Sequence, residues 1–309
     1  LQEGEGVSAN QGFVSVDMDM WYHCRWATGG PASLWPNVAA AEAAMPPRRA
    51  FPDLVGDVLD LFDELGLKAT FFILGEMAQR YPEAAYAVAA RGHELACHAM
   101  HHVDSTALSD AELHNAIRGA KRIIEDAVGQ PVVGFRFPNL VYGPREIAML
   151  TEEGFLYDSS ACFGRKLQGK FGVAVPPLYA PYRVDPANPF VPGKGSLWEI
   201  PIPVFPGLRL PAGTGVATRV FGVWWSRFAL SHSLRRGRTA VYYFHPYELG
   251  DFPEVARLTR YTRLFMRNAG DGYRGMLRRL LPWLQRQAAC GTMRDWVAAQ
   301  RKIGNDELS

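Results

Sequence analysis

The chain has 309 residues, is 48% hydrophobic and carries a formal net charge of +2. That length suits one α/β barrel with additions or two small domains, and a single domain over residues 1–309 is the expected arrangement. The small charge argues against a dedicated nucleic-acid binder, which needs a far larger basic excess to engage phosphates, and it leaves neutral substrates open.

Apolar, β-rich segments alternate with helical patterns along the chain. Phe13 to Val16 predicts a strand, and Asp53 to Leu65 a helix with Leu54, Val58, Leu61 and Leu65 on one face. Ala69 to Leu74 predicts a strand and Pro82 to Arg91 a helix. The unit then repeats: a strand at His93 to Cys97, a helix at Asp110 to Val128 opened by Ser109 as N-cap, a strand at Val132 to Phe137, and a helix at Pro144 to Glu153 ended at Gly154. Two later strands, Leu197 to Ile202 and Ala240 to His245, follow a long loop-rich stretch. Strands alternating with helices pair in parallel, and about seven of them fit a closed or nearly closed β/α barrel. The core spans about residues 13–250, followed by a helical extension at about 251–305.

Val216 to Arg238 mixes aromatic and basic residues at helical spacing, with Val220, Trp224 and Phe228 on one face and Arg235, Arg236 and Arg238 clustered at its end. Docking of that helix on the barrel is the expectation, and contact with an anionic membrane surface is the alternative. A second arginine-rich stretch, Arg257 to Arg286, favours neither. The four cysteines, Cys24, Cys97, Cys162 and Cys290, stand far apart without a CxxC pair and read as reduced thiols. No apolar run reaches the roughly 18 residues of a transmembrane helix, and Leu1 to Gly12 lacks the apolar core of a signal peptide. A cytoplasmic location, with the inner membrane surface as a variant of it, is therefore expected, although a chain already stripped of a leader reads the same.

Chemistry concentrates in a few motifs. Asp17 and Asp19 lie two apart at the end of the first strand, so their side chains leave the same face and can converge on one site. His98 and His102, four apart in ELACHAMHH, are predicted to meet on one helical turn. Asp, His and His would supply the three protein ligands of a one-metal hydrolytic site. His101 is expected to point elsewhere, and His93 to serve packing. Asp17, His98, Arg136 and His245 all fall at or just beyond the C-terminal end of a predicted strand, where barrel enzymes gather catalytic groups.

With these residues in view, the chain resembles polysaccharide deacetylases of the NodB-homology type, carbohydrate esterase family 4, in the branch whose first motif is Asp-x-Asp or Asp-x-Glu. The resemblance runs from Phe13 to about Leu249 through SVDMDMWYH, GHELACHAMHH, GFRFPN, EEGFLYDSS, LWEIPI and YYFHPYEL. It implies a distorted (β/α)7 barrel with additional C-terminal helices. It further implies Asp17 as general base, Asp19, His98 and His102 as metal ligands, and Arg136 as the partner that keeps Asp17 charged and aimed. Asn139 aligns with the residue whose backbone N–H helps bind the oxyanion. His245 aligns with the acid that protonates the departing amine. For the carboxylate beside that histidine, Glu199 is the candidate by position and Glu248 the weaker rival. Met20 departs from the polar residue of the pattern, and Trp21, Tyr22 and His23 either line a sugar site or fold as a loop on the barrel rim.

The implied reaction is metal-assisted hydrolysis of an N-acyl group. Zinc would lower the pKa of its bound water to about 7 and polarise the acyl oxygen; cobalt, nickel or iron suit the same donors. The expected substrate is an N-acetylated amino sugar in a glycan, lipid-linked precursor or aminosugar conjugate. Two other readings stand beside it: a deformylase or small-amide and ureide hydrolase, for which a pocket closed by the Ala27 to Arg49 insertion would speak, and an inactive glycan-binding module.

Overall fold

The computed structural model describes residues 10–23, 37–44, 46–164, 176–205, 207–250 and 264–306. Its strands are β1 (Gln11–Met18), β2 (Thr70–Ile73), β3 (Glu94–Cys97), β4 (Gly134–Phe135), β5 (Tyr157–Asp158), β6 (Tyr182–Asp185), β7 (Asn188–Pro192), β8 (Trp198–Glu199), β9 (Thr239–Phe244) and β10 (Ala289–Gly291). Parallel pairing runs in the order β9, β1, β2, β3, β4, β5, β8. Every residue of β1 after Gln11 is buried, as expected of a strand covered on both faces. Bridges from Cys162 to Ile202 and from Thr214 to Tyr243 carry the backbone onward between β8 and β9. The sheet and its surrounding helices thus form the distorted α/β barrel expected from the sequence.

Local signals explain the helices. Asp110–Val128 is opened by a capping box in which the Ser109 hydroxyl accepts from the Glu112 amide and the Glu112 side chain accepts from the Ser109 amide. It stops at Gly129, where φ is 65°. Its buried residues, Leu113, Ile117, Ala120 and Ile124, form one stripe against the sheet.

Some elements differ from the sequence reading. The loop-rich stretch contains the antiparallel pair β6 and β7; β6 alternates but is only four residues long, and β7 carries Pro189 and Pro192, which read as loop. The C-terminal segment does not merely append helices: β10 pairs with the start of β1, between helices Asp271–Gln287 and Met293–Asp306. Val216 to Arg238 is two helices, Gly215–Phe221 and Val223–Gly237, because Gly222 takes a φ of 91° that other residues avoid. The second helix docks through Trp225, Ala229, Leu230 and Leu234, while Trp224 and Phe228 face outward.

Cys97 and Cys162 are buried free thiols and Cys290 is half-buried; burial pushes all three up, to about 12, about 12 and about 11. Cys24 and residues 27–36 and 45 of the Ala27 to Arg49 insertion lie outside the described residues, as do residues 257–263 of the second arginine-rich stretch. Among the described residues no helix is long and apolar enough to cross a membrane.

One close approach fixes the strand spacing at the base of the barrel. A Cβ at Gly134 would meet the Tyr157 ring at 2.1 Å. That ring spans the gap to donate to Glu94, whose carboxyl also accepts from Thr70 Oγ1 and the Arg294 amide at 2.7 and 2.9 Å. Gly134→Ala is expected to destabilise the fold by about 1–3 kcal/mol through overpacking, measured by urea unfolding with an unchanged m-value.

Candidate active site

Arg136, one residue past β4, lies wholly inside the barrel. Its guanidinium donates to Asp17 Oδ1 at 2.6 Å, to Ser15 Oγ at 3.0 Å, and to the backbone and hydroxyl oxygens of Ser159 at 2.8 and 2.9 Å. The Phe72 ring packs under it, 4.1 Å from the guanidinium carbon to the ring centroid. Asp17, near the end of β1, is thereby held in one orientation at the C-terminal rim.

Asp19 sits one residue beyond β1, where its amide bonds back to the Asp17 carbonyl at 3.0 Å. Its carboxylate is fully buried, and neither oxygen receives a hydrogen bond. Burial raises it to about 6 against the opposing charge of His245. An orphaned carboxylate of this kind is costly unless something positive faces it. His102 Nε2 lies 3.3 Å from Asp19 Oδ2, and the ligand atoms of Asp19, His98 and His102 all fall within 4.8 Å of one another. The donor set and the unsatisfied oxygens fit a divalent cation.

The two histidines meet by a route other than the expected helical turn. Residues 98–104 form an irregular loop after β3, turned by Ala99 in the left-handed region at φ 65°. The first amides of helix Gly75–Arg80 hold that loop, Gly75 donating to the Ala99 carbonyl at 2.9 Å and Glu76 to the Met100 carbonyl at 3.1 Å. The rings of His98 and His102 end 5.3 Å apart. His98 Nδ1–H donates to the Arg136 carbonyl at 2.7 Å, which leaves Nε2 facing the cluster. Burial keeps that imidazole neutral, lowering it to about 4. His101 points away to Glu76, 3.1 Å from Oε2, and His93 accepts from the Ala69 amide among core rings.

His245 follows β9 directly. Its Nδ1 lies 2.8 Å from Glu248 Oε1 and its Nε2 4.0 Å from Asp19 Oδ1. Burial pulls the imidazole down, but Asp19 and Glu248 outweigh it and raise it to about 9. Glu248 is in turn paired with the buried Arg219 at 2.7 Å, which with His245 holds the carboxyl below its ordinary range despite burial. Arg219 is fixed by the carbonyls of Phe265 and Arg267. The carboxylate beside His245 is therefore Glu248, correcting the choice of Glu199. Glu199 faces Asp158 instead and accepts from the amides of Ser160 and Ala161 at 3.2 and 2.9 Å. The signal for Glu248 was local: His-Pro-x-Glu has proline at the first position of a helical turn and glutamate at the third, so the carboxylate folds back on residue 245. Arg219 gave no such signal.

Other expectations meet different outcomes. Asn139 is held at φ 55° beyond Pro138, and its side chain donates to Asp104 Oδ1 at 2.7 Å. Trp21 and Tyr22 are buried in the core cluster, 1% and 0% exposed, so the loop folds onto the rim and offers no sugar-facing aromatic wall there.

Parts of the chain are similar to known proteins. Residues 45–157 match the polysaccharide deacetylase family and residues 178–298 a domain of unknown function, DUF3473. A peptidoglycan-N-acetylglucosamine deacetylase of Bacillus cereus is 37% identical over 87 residues, 28% of this chain and 40% of that protein. A chitooligosaccharide deacetylase of Bradyrhizobium sp. is 37% identical over 79 residues, 26% of this chain and 36% of that protein. The chain thus matches well under half the length of these curated relatives. A Mycobacterium smegmatis crystal structure assigned as a polysaccharide deacetylase superposes with a TM-score of 0.66 at 20% identity, covering 98% of this chain and 94% of that one. An allantoinase superposes at 0.61 with 17% identity, covering 94% and 90%. Both share the fold.

Two measurements test the assignments. Asp17→Asn should keep the metal content of the unsubstituted protein while His98→Ala loses the metal, as read by elemental analysis; equal loss in both would overturn the division between Asp17 and the ligands. Burial raises both Asp158, to about 6, and Glu199, further lifted by Asp158, so the pair retains a proton. Stability from a raised carboxyl is complete below its unfolded pKa and is lost as pH rises through the folded one. The melting temperature should therefore fall between pH 5 and pH 8, and fall less in Glu199→Gln, measured by calorimetry.

Proposed function

We propose that this chain, which carries a polysaccharide deacetylase domain, is a metal-dependent N-deacetylase acting on an N-acetylated amino sugar. The observation that carries the reading is the buried Asp19 carboxylate, without a hydrogen-bond donor, set against His98 and His102 and bordered by His245. A divalent cation held by Asp19, His98 and His102, zinc first among those that suit the donors, supplies Lewis acidity toward water and the acyl oxygen.

The chain's own residues do the rest. Asp17, fixed by Arg136, takes a proton from the attacking water. Breaking the C–N bond then requires a proton on nitrogen, and His245 Nε2 gives it while Nδ1 stays bonded to Glu248. The backbone amide of Asn139, in the turn after Arg136, is assigned to the developing oxyanion. Water and amide become acetate and a free amine. The sugar assignment leans on the names of the relatives, which act on peptidoglycan N-acetylglucosamine and on chitooligosaccharide.

The test is release of acetate and formate from a panel of free, polymeric and lipid-linked N-acylated sugars and of small amides, with metal content measured on the same sample. Acetate from a sugar supports the reading; release from a small amide alone would replace it with the small-amide reading, and no release from a metal-loaded protein would favour a binding module. In that assay Glu248→Gln should slow turnover by at least about tenfold, whereas Glu199→Gln should stay within a few-fold.

A further inference from the structure

The segment between Glu199 and Glu248 contains no aspartate or glutamate and six arginines: Arg209, Arg219, Arg227, Arg235, Arg236 and Arg238. The same segment holds four of the six large hydrophobic side chains exposed among the described residues: Leu208 at 47%, Phe221 at 44%, Trp224 at 64% and Phe228 at 48%. The three aromatic ones form one patch. Phe221 stacks on Trp225 at 4.6 Å, Trp224 meets Trp225 edge-on at 6.0 Å, and Phe228 lies 5.3 Å from Phe205, which itself stacks on Trp225. Trp225 and Phe205 are thus a platform that presents the other three outward. A cluster of exposed aromatic rings is costly in water and calls for an occupant.

Position in the barrel narrows the occupant. Thr218 Oγ1 lies 2.6 Å from Ser226 Oγ in the first turn of helix Val223–Gly237 and 2.8 Å from the Tyr242 hydroxyl in β9, which brings that turn beside the C-terminal half of the strand that leads to His245. Phe221 is two residues from Arg219, which bonds Glu248 behind His245. The patch therefore borders the catalytic rim. Along the second helix Trp224, Phe228 and Arg235 share one outward stripe, apolar at the rim end and cationic at the far end, with exposed Arg236 beside it.

We propose that this surface docks on an anionic lipid bilayer, the aromatic rings entering the headgroup boundary and the exposed Arg235 and Arg236 engaging the lipid charges. Cationic and aromatic groups without a single acid match an anionic interface, whereas a neutral glycan would have no use for the arginines. Docking would turn the catalytic rim toward the membrane. The proposal stands on the surface alone and does not depend on the reaction.

The test is sedimentation of the 309-residue chain with vesicles of phosphatidylglycerol and phosphatidylcholine, compared with phosphatidylcholine alone. Binding is expected only with the anionic lipid, weakening as salt rises, and Trp224→Ser with Phe228→Ser should weaken it at least about tenfold while metal content and circular dichroism stay unchanged. Arg235→Glu with Arg236→Glu should weaken it without touching the patch. No binding to anionic vesicles, or equal binding by the aromatic double variant, would overturn the proposal. So would loss in that variant of a dimer or of binding to soluble N-acetylglucosamine oligomers, which would assign the patch to a second copy or to a glycan.

Discussion

The site depends on a charge buried where water does not reach. Arg136 fills the barrel interior, and a guanidinium there is tolerable only if every direction it donates in finds an acceptor. Asp17 and Ser15 from β1 and Ser159 beyond β5 supply those acceptors, with aromatic rings of β2 and β9 against its faces. One side chain thereby ties together strands from both halves of the sheet and aims the carboxylate at the rim. Removing either member of such a pair leaves the other buried and uncompensated, at a cost of about 3–5 kcal/mol. Its carbonyl also receives His98, so the arginine position orients that imidazole as well as Asp17.

How much of this was legible depended on how local the cause was. The helix Asp110–Val128 was readable to the residue because its start and stop are written in Ser109, Glu112 and Gly129. The placement of Asp17, His98, Arg136 and His245 at strand ends followed from the alternation of strands and helices. The histidine pair was predicted together for the wrong reason: four-residue spacing suggests a helix, but the chain turns at Ala99 and is held by amides from a helix over twenty residues earlier. Spacing alone cannot reveal such a tertiary support. Glu199 was chosen by alignment with a pattern, and the fold spends it on Asp158 and two backbone amides. The break at Gly222 was not legible in the helical spacing, which ran Val220, Trp224 and Phe228 along one continuous face.

The two segments matched by different families divide the residues of the candidate site. Residues 45–157 hold His98, His102 and Arg136, while residues 178–298 hold Arg219, His245 and Glu248. Asp17 in β1 and Asp19 just beyond it lie outside both, and β1 lies between β2 and β9. The first strand is the seam along which the two contributions meet.

The turn that begins at His245 has a consequence for how such a barrel can change. Because the histidine draws its carboxylate from three residues downstream, His245 and its orienting partner are carried on one short peptide, braced from behind by Arg219. Strand β8 is released from any duty to that histidine. A change at Glu199 is felt by Asp158 and by the two backbone amides it holds, whereas a change in the four-residue turn is felt by its distant arginine, so the two buried carboxylates answer to different parts of the barrel.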